Sequence, residues 1–508
     1  MRKVFIIMLN IAYILVSFYN DFHFFCFENE FNSNSVILYI ILKILWLILF
    51  ISFEYHLFSF IRERLSKKMR MFILFMGVYL VVFLMGFPGN WGAVGDDLLV
   101  YWAAKNLWVW PQQGYAAGIV MILELMVWPK VWVPTLIDVG LYAGVFTYVC
   151  SKLEEKGKSI AKIGMMVLSM SLPVLYYMMT SIRSSIWAIT IIWVCFYLFC
   201  EDKIEEHKVG TMSIACIVVA NLRTEGLLIF IMFVIYMFVK KMCSKKAIIK
   251  MIIITVASVI MTSATVSYFG GDAYRYKSLG LVSYICPLSR ILSDENANYT
   301  SEQLKYIDEV FPVEHIIEAP NDTNFWSGKH WIDEYADCSS KQVRRFSLTS
   351  WQIFAENISL FTDSRWNMMV SCVPNGSGIG AARILEMIKE WCISNHESSS
   401  ELWKDFDMMS PIRAEVSCIL SGFKPILAVI MYNWWIPIIV CFLSLIIAIM
   451  NKKQDILLVL IPIVIVGINF FMIPNAHNMY YFVVYLFGWS EVTIWIQLIW
   501  NKFVKNHR

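Results

Sequence analysis

Lysine and arginine fall into seven clusters set between long apolar stretches, and this alternation constrains the fold more than any other feature of the chain. The clusters are Arg2 with Lys3; Arg62, Arg64, Lys67, Lys68 and Arg70; Lys152, Lys156, Lys158 and Lys162; Lys203 with Lys208; Lys240, Lys241, Lys245, Lys246 and Lys250; Lys452 with Lys453; and Lys502, Lys505 and Arg508. Several of the stretches between them hold close to 20 apolar residues, enough to cross a hydrocarbon core of about 30 Å. The chain is 58% hydrophobic and 16% charged, where a soluble domain carries about 25% charged residues. It reads as an all-α polytopic membrane protein.

Twelve spans satisfy the pattern, at about 4–19, 35–60, 71–88, 131–150, 163–180, 186–200, 209–222, 226–239, 247–268, 426–450, 455–473 and 479–500. With that number every basic cluster lies on one side, which the positive-inside rule makes the cytoplasm of a multi-pass cell-membrane protein with both termini inside. Residues 114–127 are left out of the count. The segment is short, carries Glu124, and is followed by Pro129 and Lys130, so it reads as re-entrant or interfacial. Arg2 and Lys3 precede an apolar run, but no small-residue cleavage site follows, so no signal peptide is expected.

This divides the chain into a membrane domain at 1–269 with a first outer loop at 89–130, an extracytoplasmic domain at 270–425, and C-terminal transmembrane helices at 426–508. The insertion is too long for a structureless loop. Runs 301–309 and 379–392 have helical periodicity, with a capping-box-like Ser301 and Gln303 one residue out of register. Trp326, Trp331, Trp351, Trp366, Trp391 and Trp403 are expected to furnish its core. Cys286, Cys338, Cys372, Cys392 and Cys418 are odd in number and form no CxxC pair, so neither a disulfide framework nor a zinc site is expected. No Walker loop or GxGxxG occurs, and nothing points to a nucleic-acid partner.

Polar residues gather at the outer ends of the spans. Asp96 and Asp97 follow the third span; adjacent carboxylates beside a membrane segment suit a proton, metal or substrate site, or the N-terminus of a helix starting there. Gln112 lies further along that loop. Arg223 and Glu225 join two short spans, where they either neutralise each other or leave Arg223 to grip a phosphate. Arg183 sits at another outer end, where snorkelling explains it. His477 and Asn478 lie in the Pro-Asn turn before the last span, which backbone geometry already explains. Asp138, inside the fourth span, is expected to pair with a polar neighbour.

An acidic outer loop after an early span, many further spans and a long late outer domain resemble the GT-C superfamily of membrane glycosyltransferases. The segments Phe87-Pro88-Gly89, Asp96-Asp97 and Trp110-Pro111-Gln112 also look like the start of a group of uncharacterised bacterial multi-pass proteins. Residues 284–326, with Tyr284, Pro287, Arg290, Phe311-Pro312 and Asp322, resemble the opening of that group's outer domain. Two positions depart from the pattern: Gln112 stands where that group has a histidine, and Asn475 to Asn478 where it has an arginine.

The resemblance implies transfer of a sugar from a polyprenyl-phosphate-linked donor to a cell-surface glycan or lipid acceptor, among membrane lipids, at the extracytoplasmic face. Asp97, or else Asp96, would act as general base on the acceptor hydroxyl, or hold a divalent cation such as Mg or Mn against the leaving phosphate. Arg223 would clamp the phosphate, with Glu225, Arg183, Gln112, His477 and Asn478 as further substrate contacts. A polysaccharide polymerase of the same face, a lipid-linked glycan flippase or transporter, and a non-catalytic scaffold or sensor acting through the 270–425 domain are the alternatives; the second calls for charges near the midplane of several spans.

Overall fold

The computed structural model describes residues 2–28, 34–62, 67–86, 96–109, 116–179, 183–269, 281–318, 338–372, 433–451, 455–473 and 478–506, and every regular element among them is helical. The helices are α1 (Arg2–Phe24), α2 (Ser35–Arg62), α3 (Lys67–Gly86), α4 (Asp96–Lys105), α5 (Ala117–Val127), α6 (Trp132–Glu155), α7 (Ser159–Ser169), α8 (Leu172–Met178), α9 (Arg183–Cys200), α10 (Val209–Leu222), α11 (Gly226–Val239) and α12 (Lys245–Phe269). They continue with α13 (Val282–Leu292), α14 (Ser301–Asp308), α15 (Val313–Glu318), α16 (Ser340–Glu356), α17 (Ile358–Cys372), α18 (Trp435–Met450), α19 (Ile456–Met472) and α20 (Phe482–Asn506). Short 3-10 turns precede α10 and α20.

Six stretches among the described residues are long and apolar enough to cross a membrane: 35–54, 67–85, 132–155, 183–200, 245–269 and 479–505. The pair α7 and α8, bent by 58°, makes up to seven. Residues 163–180, read as one span, are therefore broken at Met170–Ser171, with Pro173 in the first turn of α8 where a missing amide is harmless. The helices α10 and α11 have 14 residues each, a rise of about 21 Å. Their surfaces are inverted relative to a soluble bundle: Ile37, Ile40, Ile44 and Ile48 of α2 are exposed while Asp21, Lys43 and Asp138 are buried.

The chain forms two compact units, 1–271 with 377–426 and 489–508, and 272–376 with 427–488. Thus α18 and α19 group with 272–376.

In the first unit, α6 packs against α3, α7 and α9, and α10 against α9, α11 and α12. One end of this assembly is tied by ion pairs. Lys67 and Lys68 meet Glu154 and Glu155, Lys162 meets Glu154 at 2.9 Å, and Lys152 meets Glu201 at 2.7 Å. Two basic clusters separated in sequence thus gather at one end of the helices. The helix α5 is no surface ribbon: Met121, Ile122, Leu125 and Met126 are buried against α1, α2, α4 and α6. At the start of α7 no local side chain caps the helix; instead Gln497 of α20 accepts from the amides of Ile160 and Ala161 at 2.9 and 3.2 Å.

In the second unit, α13 packs on α15, α16 and α17, and α18 on α19. The helix α14 does carry a capping box, but Thr300 is its N-cap, one residue before Ser301: Thr300 Oγ1 accepts from Gln303 N while Gln303 reaches back to Thr300 N. The same device at Ser339 and Gln342 starts α16. Of the six tryptophans expected in the core, the two among the described residues stay outside it. Trp351 and Trp366 are 40% and 50% exposed, and the interior is built from smaller apolar groups such as Leu288, Phe311, Phe346, Ile353 and Met368. Their indoles pack at its margin, as Trp351 does against Tyr284, Phe354 and Phe471. Trp326, Trp331, Trp391, Trp403 and the run 379–392 lie outside the described residues. Arg365 is fully buried, its Nε donating to Phe470 O at 2.6 Å and its Nη2 to Ile473 O at 2.9 Å. It therefore satisfies carbonyls at the C-terminus of α19, where the helix dipole favours a cation.

Candidate functional site

The most developed polar site lies where α10 turns into α11. Leu222 ends α10 and Arg223 leaves it in extended backbone (φ −144°, ψ 151°), so three residues reverse the chain before Gly226 starts α11. Arg223 and Glu225 are 6% and 8% exposed. Arg223 Nε donates to Glu225 Oε1 at 2.6 Å and its Nη1 to Ser184 Oγ, at the start of α9, at 2.8 Å. Thr224 Oγ1 donates to Glu225 Oε2 at 3.2 Å. The guanidinium also lies 5.2 Å from the Trp187 ring, within cation–π range. The indole is itself fixed, because Nε1 donates to Val219 O at 3.0 Å.

Electrostatics hold this turn together. Burial pushes the Glu225 carboxyl up, but Arg223 beside it and Arg183 nearby outweigh burial and leave it below the usual glutamate range. Of the two readings open for Arg223, mutual neutralisation is thus realised: the guanidinium is engaged by Glu225, Ser184 and Trp187. A phosphate would have to join or displace those partners. Arg183, the first residue of α9, is half-buried and contributes its charge to the same turn.

Asp96 and Asp97 open α4. Their side chains lie outside the described residues. The helix α4 packs on α5 in the same unit. Gln112 and His477 lie outside the described residues, and Asn478 begins the 3-10 turn before α20 in the other unit.

Asp138 corrects the expectation of a polar partner. It is fully buried on α6, and neither carboxylate oxygen has a hydrogen-bond partner among the described residues. Its electrostatic neighbour is Glu124 of α5, another acid. Tyr142, one turn further along α6, bonds to Ser185 Oγ at 2.9 Å, and Ser185 donates to Tyr177 O at 2.6 Å.

A second buried charge pair was not singled out from the sequence. Lys43 Nζ donates to Asp21 Oδ2 at 2.5 Å and to Ser17 Oγ at 2.6 Å, Tyr39 Oη donates to Asp21 Oδ2 at 3.0 Å, and the ammonium sits 4.2 Å from the Trp46 ring. The signal was present: Lys43 is the only charged residue in the apolar run 36–53, and an ionisable group inside a span asks for a partner. Among the described residues no group of three or more His, Cys, Asp or Glu side chains is placed to hold a metal ion. Comparison with protein-family models, curated proteins and solved structures finds no match.

Proposed function

We propose that the chain is a membrane glycosyltransferase of GT-C type that moves a sugar from a polyprenyl-phosphate-linked donor to a cell-surface glycan or lipid acceptor at the extracytoplasmic face. About twelve spans with both termini cytoplasmic complete the reading, and the ion-paired end of α3, α6, α7 and α9 is the cytoplasmic one. The short helices α10 and α11 leave this orientation intact. Whether the hairpin crosses or dips and returns, the residues before and after it emerge on the same side.

The observation that carries the reading is the buried Arg223–Glu225 turn with Ser184 and Arg183, sharing one compact unit with the Asp96–Asp97 start of α4. Its two arginines and one glutamate leave a net positive charge, which suits the anionic head of a lipid phosphate. Asp97 serves as general base, with Asp96 as the alternative, or the two hold a divalent cation. The test is transfer of labelled sugar from a lipid carrier in membranes holding Asp97→Asn, Asp96→Asn or, as a control at the opposite end, Lys67→Ala. Loss of a general base lowers the rate on the order of 10²–10⁴-fold. Normal transfer by both Asp→Asn variants, expressed at wild-type level, overturns the catalytic reading.

A further inference from the structure

We propose that Glu124 and Asp138 form a binding site for one monovalent cation, a proton or a sodium ion, inside the helices of the first unit. The site is separate from the Arg223 turn and does not depend on the glycosyltransferase reading. Asp138 lies six residues into α6, about 9 Å along the helix from its start. It has no exposed surface and both its oxygens lack a hydrogen-bond partner among the described residues. Glu124 approaches from α5, which packs directly on α6, and is 9% exposed.

The neighbouring groups cannot balance these two acids. Ser185 gives its hydroxyl proton to Tyr177 O, so the hydrogen between Tyr142 and Ser185 is donated by Tyr142 and is unavailable to Asp138. Tyr79, reaching towards Tyr142 from α3, donates to Ser169 O at 3.2 Å. From α9, Arg183 acts on Glu225, and no lysine, arginine or histidine forms an ion pair with Glu124 or Asp138 among the described residues. Two buried carboxylates whose charges act on each other are disfavoured by desolvation and by mutual repulsion. One bound positive charge removes the larger part of that penalty. No third His, Cys, Asp or Glu joins them among the described residues; a proton needs no further ligand, and a sodium ion would draw its remaining oxygens from water or backbone carbonyls.

Linkage makes the proposal measurable. A ligand held by the folded chain and released on unfolding raises the unfolding temperature in proportion to the logarithm of its concentration above Kd. The full chain is purified in detergent and its unfolding followed by tryptophan fluorescence. One arm runs from pH 6 to 8.5 in choline chloride; the other compares choline, potassium and sodium chloride at pH 8.5 and constant ionic strength. A proton site lowers the transition by about 1 °C for each unit by which pH rises, with no sodium effect. A sodium site raises it in sodium chloride alone. Either dependence is lost in both Asp138→Asn and Glu124→Gln. Equal dependences in wild type and variants overturn the proposal. If the variants do not fold, infrared difference spectra of the wild type decide: loss of a protonated-carboxyl band between pH 6 and 8.5, or a carboxylate-band shift on adding sodium, supports the site, and neither change overturns it.

Discussion

A methyl group built on Gly226 would lie 1.8 Å from the carbonyl oxygen of Val219, so the first residue of α11 touches the backbone of α10 with nothing in between. That carbonyl also receives the Trp187 indole, and Trp187 in turn faces Arg223. The approach of Gly226 therefore sets the geometry of the charged turn. Gly226→Ala is expected to destabilise the protein by about 1–3 kcal/mol, as overpacking of a rigid contact does, and to weaken the Arg223–Glu225 pair. Thermal unfolding in detergent, with Gly210→Ala as a control where the added carbon meets nothing within 4 Å, checks it.

Removing one member of the Arg223–Glu225 pair should be worse than removing both. Glu225→Gln leaves a buried guanidinium without its counter-charge and is expected to cost about 3–5 kcal/mol. Arg223→Met combined with Glu225→Gln should recover part of that loss, and a double-mutant cycle measures the coupling. Arg223→Lys loses the Nε and Nη1 geometry and should behave as a weakened pair.

The same pair has a pH signature. The Glu225 carboxyl is lowered in the folded state by Arg223 and Arg183 despite burial. Its contribution is therefore complete above the ordinary glutamate value of about 4.3 and is lost as pH falls through the lower folded-state value. Unfolding temperature measured from pH 6 downward should fall more steeply for the wild type than for Glu225→Gln.

Lys43 and Asp21 offer a second test of buried charge. Lys43→Met strands the carboxylate beside Tyr39 and Ser17 and should cost about 3–5 kcal/mol, while Lys43→Met with Asp21→Asn should cost much less. Equal losses in the single and double variants would show that the pair contributes no coupling.

Arg365 is a helix cap made from a distant side chain. Arg365→Met removes the donors that hold Phe470 O and Ile473 O, leaving buried carbonyls unpaired at about 1–3 kcal/mol each. Hydrogen exchange should rise in the last turn of α19 more than in α18.

Apolar periodicity locates the helices well, because a backbone in hydrocarbon has few ways to satisfy its amides. Helices α2, α3, α6, α9 and α12 fall within a few residues of the stretches read as spans. The break after Ser169 escaped because the surrounding residues are apolar and the marks of a new helix, Ser171 at its N-cap and Pro173 in its first turn, are short. The Trp351 and Trp366 positions were misread because indole size suggests a core, while their polar edges favour a margin. At the Arg223 turn the residue types were legible but their partner was not: Ser184 is 39 positions away, and no local pattern announces it. The solitary state of Asp138 is equally hidden. A sequence reveals that an acid lies in a span, but not that the Tyr142 and Ser185 hydroxyls bond to each other and to Tyr177 O.

Gln497 holds the amides of residues made 337 and 336 positions earlier. At roughly 5–20 residues per second of synthesis, those two amides wait about 15–70 s for their acceptor. Throughout that interval the nascent chain carries an unfinished helix end that water, lipid headgroups or an insertion chaperone must shelter. Completion of the α7 end is in this way timed by the arrival of the last helix, and a lesion near residue 497 is read out at residue 160.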